Sequence, residues 1–207
     1  QTDNHGSRAS EHEAFIRRAA GQQPVPNDAG QGGWLWSFLR VCNVMLANYQ
    51  KVPVAESIKN QYAGEALFFR AWFYLDKVQN YGDVPYVSTP LNTDSPQLFD
   101  KRMPRKQVMD SVLRDINLAI EYLPTSWTNG AGRVTKYTAL ALKSRLALYE
   151  GTYRKYHGLG DAEGYLRESL DASEKLMASN VYKIYTTGKP KSDYRSLFIN
   201  TDLASNP

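Results

Sequence analysis

One stretch, residues 61–85 (QYAGEALFFRAWFYLDKVQNYGDVP), constrains the fold of this chain more than any other. At about 100° per residue, helical spacing places one set of apolar side chains on a continuous face: Ala63, Leu67, Ala71, Tyr74, Val78 and Tyr81. The polar residues are assigned to the opposite face: Gln61, Glu65, Arg70, Asp76, Lys77 and Gln79. Phe69, Trp72 and Phe73 lie among them. Because a helix that is apolar on one side and aromatic on much of the other packs between neighbours, we predict a central core helix.

The sequence also predicts where this helix ends. Gly82 follows Tyr81 at the position where a residue in the left-handed conformation closes the last turn. Pro85 cannot continue a helix, and it biases Val84 towards an extended conformation. We therefore expect the helix to run from about Glu56 to Tyr81.

Apolar residues recur at helical spacing in further segments of the chain. The predicted helices cover residues 34–50, 107–123, 136–156 and 162–178. Thr135 is the predicted N-cap of the helix that begins at Lys136. A short helix over residues 12–20, capped by Ser10, is also compatible with the polar N-terminal sequence.

The order of these segments predicts an all-α fold. Helix 34–50 is expected to pair with 56–81 and helix 107–123 with 136–156, which leaves 162–178 without a partner. Such pairs are typical of tetratricopeptide-like repeats, which stack into a right-handed superhelix, here with long irregular loops. We expect two parts: a polar segment and loop over residues 1–33, and a helical domain over residues 34–207 that is incomplete at its C-terminus. The proline-rich loop over residues 82–104 is long enough to be functional or to be held by a partner.

Few residues in the sequence suggest catalysis or metal binding. The three histidines, His5, His12 and His157, have no carboxylate or cysteine at metal-ligand spacing, so we expect no metal site and no cofactor. Cys42 is the only cysteine and is predicted to be a buried thiol. The excess of 25 basic over 21 acidic residues is spread along the chain, which argues against nucleic-acid binding. We expect a protein without catalytic residues.

Aromatic residues are the remaining functional lead. Trp34 and Trp36 stand where a glycine-rich loop meets the predicted helix 34–50. Residues two apart on a helix do not share a face, so at most one of the two indoles is expected in the core. The other would suit stacking on the apolar face of a sugar ring, although an anchor that packs the helix end is the commoner role. Trp127 is a weaker candidate of the same kind.

Several ordered motifs resemble the SusD/RagB family of outer-membrane nutrient-binding lipoproteins. The segment Gly64–Tyr74 followed by Tyr81–Pro85 is similar to the family's A-E-A-x-F-x-R-A-x-x-Y helix and its Y-G-x-V-P stop. Other matching segments are Arg40–Leu46 (R-x-x-N-x-x-L), Gly132–Lys136 (G-R-x-T-K), Ala139–Arg145, Tyr182–Tyr185 and Leu197–Phe198. The resemblance runs from about residue 34 to the end.

This resemblance implies a function that the residues alone do not. Family members are lipid-anchored on the extracellular face of the outer membrane, where they work with a SusC-like TonB-dependent transporter and capture glycan or peptide nutrients without catalysis. Here membrane contact would come only through a lipid anchor, which this chain does not contain. Because the family's ligand contacts vary, Trp34 and Trp36 remain candidates on the residue argument alone. The alternative is a tetratricopeptide-like scaffold that binds proteins and no small ligand.

Overall fold

The computed structural model describes residues 20–22, 25–30, 32–128 and 132–199. Its helices, in chain order, are α1 (Ser37–Asn48), α2 (Glu56–Tyr81), α3 (Arg105–Tyr122), α4 (Lys136–Tyr156), α5 (Ala162–Ala178) and α6 (Pro190–Ile199). Two short 3-10 helices, Tyr49–Lys51 and Pro96–Phe99, lie between them. The predicted helix over residues 12–20 falls outside the described residues except for Ala20, which lies in a turn.

The chain divides into two compact units, Gln1–Ser37 and Phe38–Pro207. All helical packing described below lies in the second unit. There, an isolated antiparallel bridge between Val84 and Met103 closes the base of the loop that joins α2 to α3.

The ends of the helices follow from local chemistry. Gly82 ends α2 with φ 71° and ψ −113°, so the predicted positive φ is confirmed, but the residue lies outside the left-handed helical region and in one that glycine alone adopts readily. Thr135 caps α4, as predicted, and it also forms a capping box with Thr138. Helix α3 begins at Arg105, two residues earlier than predicted, because the carboxylate of Asp83 accepts a hydrogen bond from the Arg105 backbone N–H at 2.8 Å.

Helix α3 contacts α4, and α1 contacts α2 through Phe38 and Phe69, as predicted, but the expectation that α5 lacks a partner is wrong. Helix α2 packs most extensively against α3, and α4 packs against α5. Helix α5 therefore has a partner within the chain. The two helices approach closely because Gly151 of α4 leaves room for Leu166: a Cβ at position 151 would lie 2.9 Å from the Leu166 side chain. The hydroxyls of Ser144 and Ser173 also meet across this pair at 2.7 Å.

Helix α2 has a buried face and an outer face. Ala63, Ala71 and Tyr74 are fully buried, as the spacing predicts. The assignment of Arg70 and Lys77 to the polar face is wrong, because both are buried. Arg70 follows Ala63 by seven residues, about two turns, and so points to the same side.

The aromatic side of α2 is only partly covered. Phe73 is buried, but Trp72 keeps 53% of its surface exposed. The prediction that this helix packs between neighbours therefore holds for one side, and on the other side the described residues leave an indole in solvent.

Candidate functional site

The two candidate tryptophans lie before the first described helix, not within it. Helix α1 begins at Ser37, and Trp34 and Trp36 occupy the non-helical segment that precedes it. A tight turn leads into this segment, in which the Trp34 N–H donates to the Ala29 carbonyl at 2.7 Å. The predicted helix start at residue 34 is three residues too early, because the non-helical segment after the glycines extends through Trp36.

This correction removes the argument that the two indoles face opposite ways. The rings of Trp34 and Trp36 contact each other edge to face, with centroids 5.0 Å apart and planes at 73°. Both residues are half-buried. Neither is a fully buried core residue. The structure thus brings the two candidates together as one aromatic pair.

Trp127, the weaker candidate, has a structural role. Its indole N–H donates to the Val134 carbonyl at 2.7 Å. The guanidinium of Arg133 lies 3.5 Å from the centre of the Trp127 ring. The Arg133 Nε also donates to the Glu65 carboxylate at 3.0 Å. Trp127 and Arg133 therefore fasten the loop before α4 onto α2, and stacking with a cation occupies one face of the indole.

The long loop after α2 is held by a buried polar cluster, called here the Arg70 cluster: Asn43, Arg70, Tyr74 and Asp115. Arg70 donates to both oxygens of the Asp115 carboxylate, at 2.7 and 2.8 Å. It also donates to Asn43 and to the Ser88 carbonyl, both at 3.2 Å. The Arg70 guanidinium therefore joins α1, α2, α3 and the loop.

Two other members of the Arg70 cluster fix the loop at Val87. The Tyr74 hydroxyl donates to the Val87 carbonyl at 2.9 Å and accepts from the Val87 N–H at 2.6 Å. The Asn43 amide donates to the same carbonyl at 3.0 Å and to that of Thr89 at 3.3 Å. The loop, which was expected to be functional or held by a partner, is thus held by side chains of its own chain.

Electrostatics in the Arg70 cluster favour the charged form of Arg70. Burial disfavours the charge on Arg70, but the hydrogen bond and the charge of Asp115 outweigh it and hold the Arg70 pKa above its usual value. Burial raises the pKa of the Tyr74 hydroxyl, which keeps it protonated as a donor. The neighbouring thiol of Cys42 is buried, as predicted, and burial raises its pKa too.

A second buried polar cluster joins α3, α4 and α5. Glu150, fully buried, accepts from Arg105 and from Arg154, each at 2.7 Å. Arg154 also donates to Asp110 at 2.8 Å, and the Tyr165 hydroxyl donates to the same carboxylate at 2.7 Å. Every charged side chain in this second cluster has a partner of opposite charge, as expected of ion pairs that hold helices together.

The remaining chemistry-bearing residues form no constellation in the described part of the chain. His157 stacks on Tyr153, with ring centroids 3.9 Å apart, and its Nδ1 lies 2.8 Å from the Tyr153 carbonyl oxygen. Among the described residues, no group of three or more His, Cys, Asp or Glu side chains could hold a metal ion. His5 and His12 lie outside those residues. None of the helices in the described ranges carries an apolar run long enough to cross a membrane.

Sequence reasoning missed both buried clusters, although each left a signal. Arg70 stands at helical spacing within the apolar row of Leu67 and Tyr74, and Glu150 precedes Arg154 by four residues, on the side of the helix that carries Leu146 and Ala147. A charged residue on an apolar face indicates a buried pair. Its partner is not visible in the sequence, since Asp115 lies on another helix.

The paired helices of the described residues define an all-α, tetratricopeptide-like fold. Residues 23–148, more than half of the chain, match the SusD-like family described as starch-binding and associating with the outer membrane. The chain belongs to this SusD-like family, as the motifs predicted.

Similar proteins agree with this assignment. SusD-like protein P38 of Formosa agariphila is 27% identical over 154 residues, which cover 74% of this chain and 27% of that protein. A SusD-like protein from Bacteroides fragilis superposes with a TM-score of 0.68 at 27% identity, over 85% of this chain and 32% of that one. Surface glycan-binding protein A from Bacteroides fluxus shares the fold, with a TM-score of 0.65 at 20% identity, over 84% of this chain and 35% of that one. The chain thus spans about a quarter of the length of the curated relatives it matches.

Proposed function

We propose that this chain is the helical part of a cell-surface protein that captures a nutrient, most simply a glycan, for import through a TonB-dependent outer-membrane transporter. The observation that carries the proposal is the family match over residues 23–148, whose description is starch binding at the outer membrane. The protein binds its ligand without chemical conversion. A lipid anchor on the full-length protein would hold it on the extracellular face.

Trp34 and Trp36 are the proposed ligand contacts. Aromatic rings bind the apolar face of a sugar ring by stacking on it. The two rings support each other edge to face at 5.0 Å, so their orientation is fixed before a ligand arrives. Preorganised rings lose little entropy on binding, which favours the pair as a stacking site.

Calorimetric titration with soluble starch and a panel of other polysaccharides tests this role. We expect saturable binding that weakens at least tenfold, about 1.4 kcal/mol, in Trp34→Ala and in Trp36→Ala. Tyr156→Ala is the matched control, because Tyr156 is an aromatic residue with 79% exposure on α4. Equal affinity in all three variants would remove the two tryptophans from the site. If no polysaccharide bound, the proposal that the ligand is a glycan would be wrong.

The transporter partnership needs a separate experiment. Affinity purification of the full-length protein from its own outer membrane should recover a TonB-dependent transporter encoded beside it. If neither the transporter nor glycan binding is found while other proteins co-purify in fixed ratio, the tetratricopeptide-like scaffold without small-ligand binding is the better description. Release of shortened sugars from any polysaccharide by the purified protein would contradict the non-catalytic assignment.

A further inference from the structure

Helix α6 presents an exposed face that is both basic and aromatic, called here the α6 face: Lys191, Tyr194, Arg195 and Phe198. These residues stand at positions i, i+3, i+4 and i+7, which share one side of a helix at about 100° per residue. All four are exposed, Tyr194 at 74% and Phe198 at 70%, and the rings of these two lie 4.9 Å apart. Among the described residues, no other helix packs on α6.

The only acidic residue of α6 is turned away from the α6 face. Asp193 follows Lys191 by two residues, about 200° round the helix, and it is only 6% exposed. Its carboxylate accepts hydrogen bonds from the Thr187 hydroxyl at 2.6 Å, the Thr187 N–H at 2.9 Å and the Lys189 N–H at 3.2 Å. The negative charge of Asp193 therefore fixes the preceding loop on the inner side of α6 and does not neutralise the cations of the α6 face.

Positive charge is concentrated in the segment that contains α6. Residues 181–199 include four basic residues and one acidic residue, whereas the whole chain has 25 and 21. The four basic residues are exposed, and none forms an ion pair with another described residue: Lys183, Lys189, Lys191 and Arg195. In the basic run over residues 101–106, by contrast, Arg105 pairs with Glu150 and Lys106 with Asp161. The positive charge is therefore less evenly distributed than expected.

The mixture of rings and cations on one side of α6 indicates the chemistry of a ligand. Helices that bind membrane surfaces carry their apolar side chains on one face and their cations on the other, which is not the arrangement here. Aromatic rings stack on sugar rings, and Lys and Arg bind anionic groups. An acidic sugar has both the apolar surface and the negative charge that this face matches.

Single-stranded nucleic acid also combines stacking surfaces with negative charge. The family to which the chain belongs is described as starch-binding and associating with the outer membrane, which favours a polysaccharide over a nucleic acid.

We infer that the α6 face binds an acidic polysaccharide, whose carboxylate or sulfate groups pair with Lys191 and Arg195 while a sugar ring stacks on Tyr194 or Phe198. This inference rests on the proposed capture of a glycan and adds the charge class of that glycan. It assigns a second contact surface, which does not include Trp34 or Trp36.

Calorimetric titration with matched pairs of polymers tests the inference on the 207-residue chain and on the full-length protein. The pairs are polygalacturonate with its neutral methyl ester, and dextran sulfate with dextran. At low ionic strength, at least one acidic polymer should bind about tenfold or more tighter than its neutral counterpart, and added salt should weaken this binding.

Variants assign the binding to the α6 face. Lys191→Gln and Arg195→Gln should each weaken binding of the acidic polymer about tenfold, the effect of losing one charge-assisted hydrogen bond. The double variant Tyr194→Leu with Phe198→Leu should also weaken it, because it removes the rings and keeps the charges. Lys155→Gln is the matched control, since Lys155 is an exposed basic residue on α4.

Each contrary outcome overturns the inference. An equal loss in Lys155→Gln would mean that net charge and not the α6 face attracts the polymer, and unchanged affinity in the double leucine variant would exclude stacking. Equally tight binding of polyglutamate, of oligothymidine or of phosphatidylglycerol vesicles would assign the face to an acidic peptide, a nucleic acid or a membrane. Binding by the 207-residue chain that is lost in the full-length protein would mean that the rest of the polypeptide covers α6.

The same titrations separate this inference from the proposed function. Starch binding that depends on Trp34 and Trp36, without any preference for an acidic polymer, would refute the inference and leave glycan capture standing. Failure of every polysaccharide to bind would refute both.

Discussion

Replacing Asp115 with alanine should destabilise the helical unit more than any surface change. The Asp115 carboxylate accepts two hydrogen bonds from Arg70, at 2.7 and 2.8 Å, and each side chain of the pair is only 10% exposed. Without Asp115 the Arg70 charge stays buried and unpaired, which costs about 3–5 kcal/mol in comparable pairs. At about 2–4 °C per kcal/mol for a chain of this size, the Tm should fall by about 6–20 °C.

Urea unfolding followed by far-ultraviolet circular dichroism measures this free energy directly. The matched control is Glu163→Ala, which breaks the Glu163–Arg167 pair of α5, in which both side chains are 76% exposed. An exposed pair contributes about 0–1 kcal/mol, so this control should stay near the wild type.

A double variant distinguishes an unpaired charge from a general packing defect. Replacing Arg70 with methionine in the Asp115→Leu background removes both charges, and such replacements of buried pairs are often neutral or stabilising. We expect it to recover at least half of the loss caused by Asp115→Ala. Full recovery is not expected, because Arg70 also donates to Asn43 and to the Ser88 carbonyl. A cost of Asp115→Ala no larger than that of Glu163→Ala would refute the reasoning.

Three further predictions concern packing and the thiol. Gly151→Ala should destabilise the chain by about 1–3 kcal/mol through overpacking, because its Cβ would lie 2.9 Å from Leu166. Gly164→Ala on α5 meets nothing within 4 Å and should stabilise the chain by about 0.5–1 kcal/mol. The urea midpoints of the two variants are compared, and equal effects would contradict the close approach of α4 and α5. Gly82→Ala should destabilise the chain by about 1–2 kcal/mol, because alanine rarely adopts the φ of 71° found there. The space around Gly82 is open, so this cost comes from the backbone and not from a clash. A neutral result in the same assay would mean that the turn relaxes. Cys42, buried with a raised pKa, should react with a thiol reagent at pH 8 far more slowly in the folded chain than in urea, and equal rates would place the thiol at the surface.

Much of the fold could be read from local patterns. Helices α2, α4 and α5 begin and end at the predicted residues, because Gly82, the Thr135 cap and the glycine break after His157 act through their nearest neighbours. The pairing could not be read in this way. Sequence order left α5 without a partner, but its packing on α4 depends on contacts such as Gly151 with Leu166, which lie on different helices.

The residues of the candidate site were predicted from the sequence, but their spatial arrangement was not. The spacing of Trp34 and Trp36 was interpreted with a helical rule, and the segment that carries them is not helical. Their edge-to-face contact is therefore a finding of the structure, and their role in binding stays a prediction.

The sequence by itself determined that residues 61–81 form a long helix, where that helix stops, and to which family the chain belongs. These properties depend on side-chain periodicity, on the permissive backbone of Gly82 and on the order of short motifs. Only the tertiary structure decided that Arg70 of the same helix faces Asp115, that the loop after Val84 is held at Val87, and that Trp72 remains uncovered. The physical reason is that burial and pairing depend on groups distant in sequence, which no local pattern specifies.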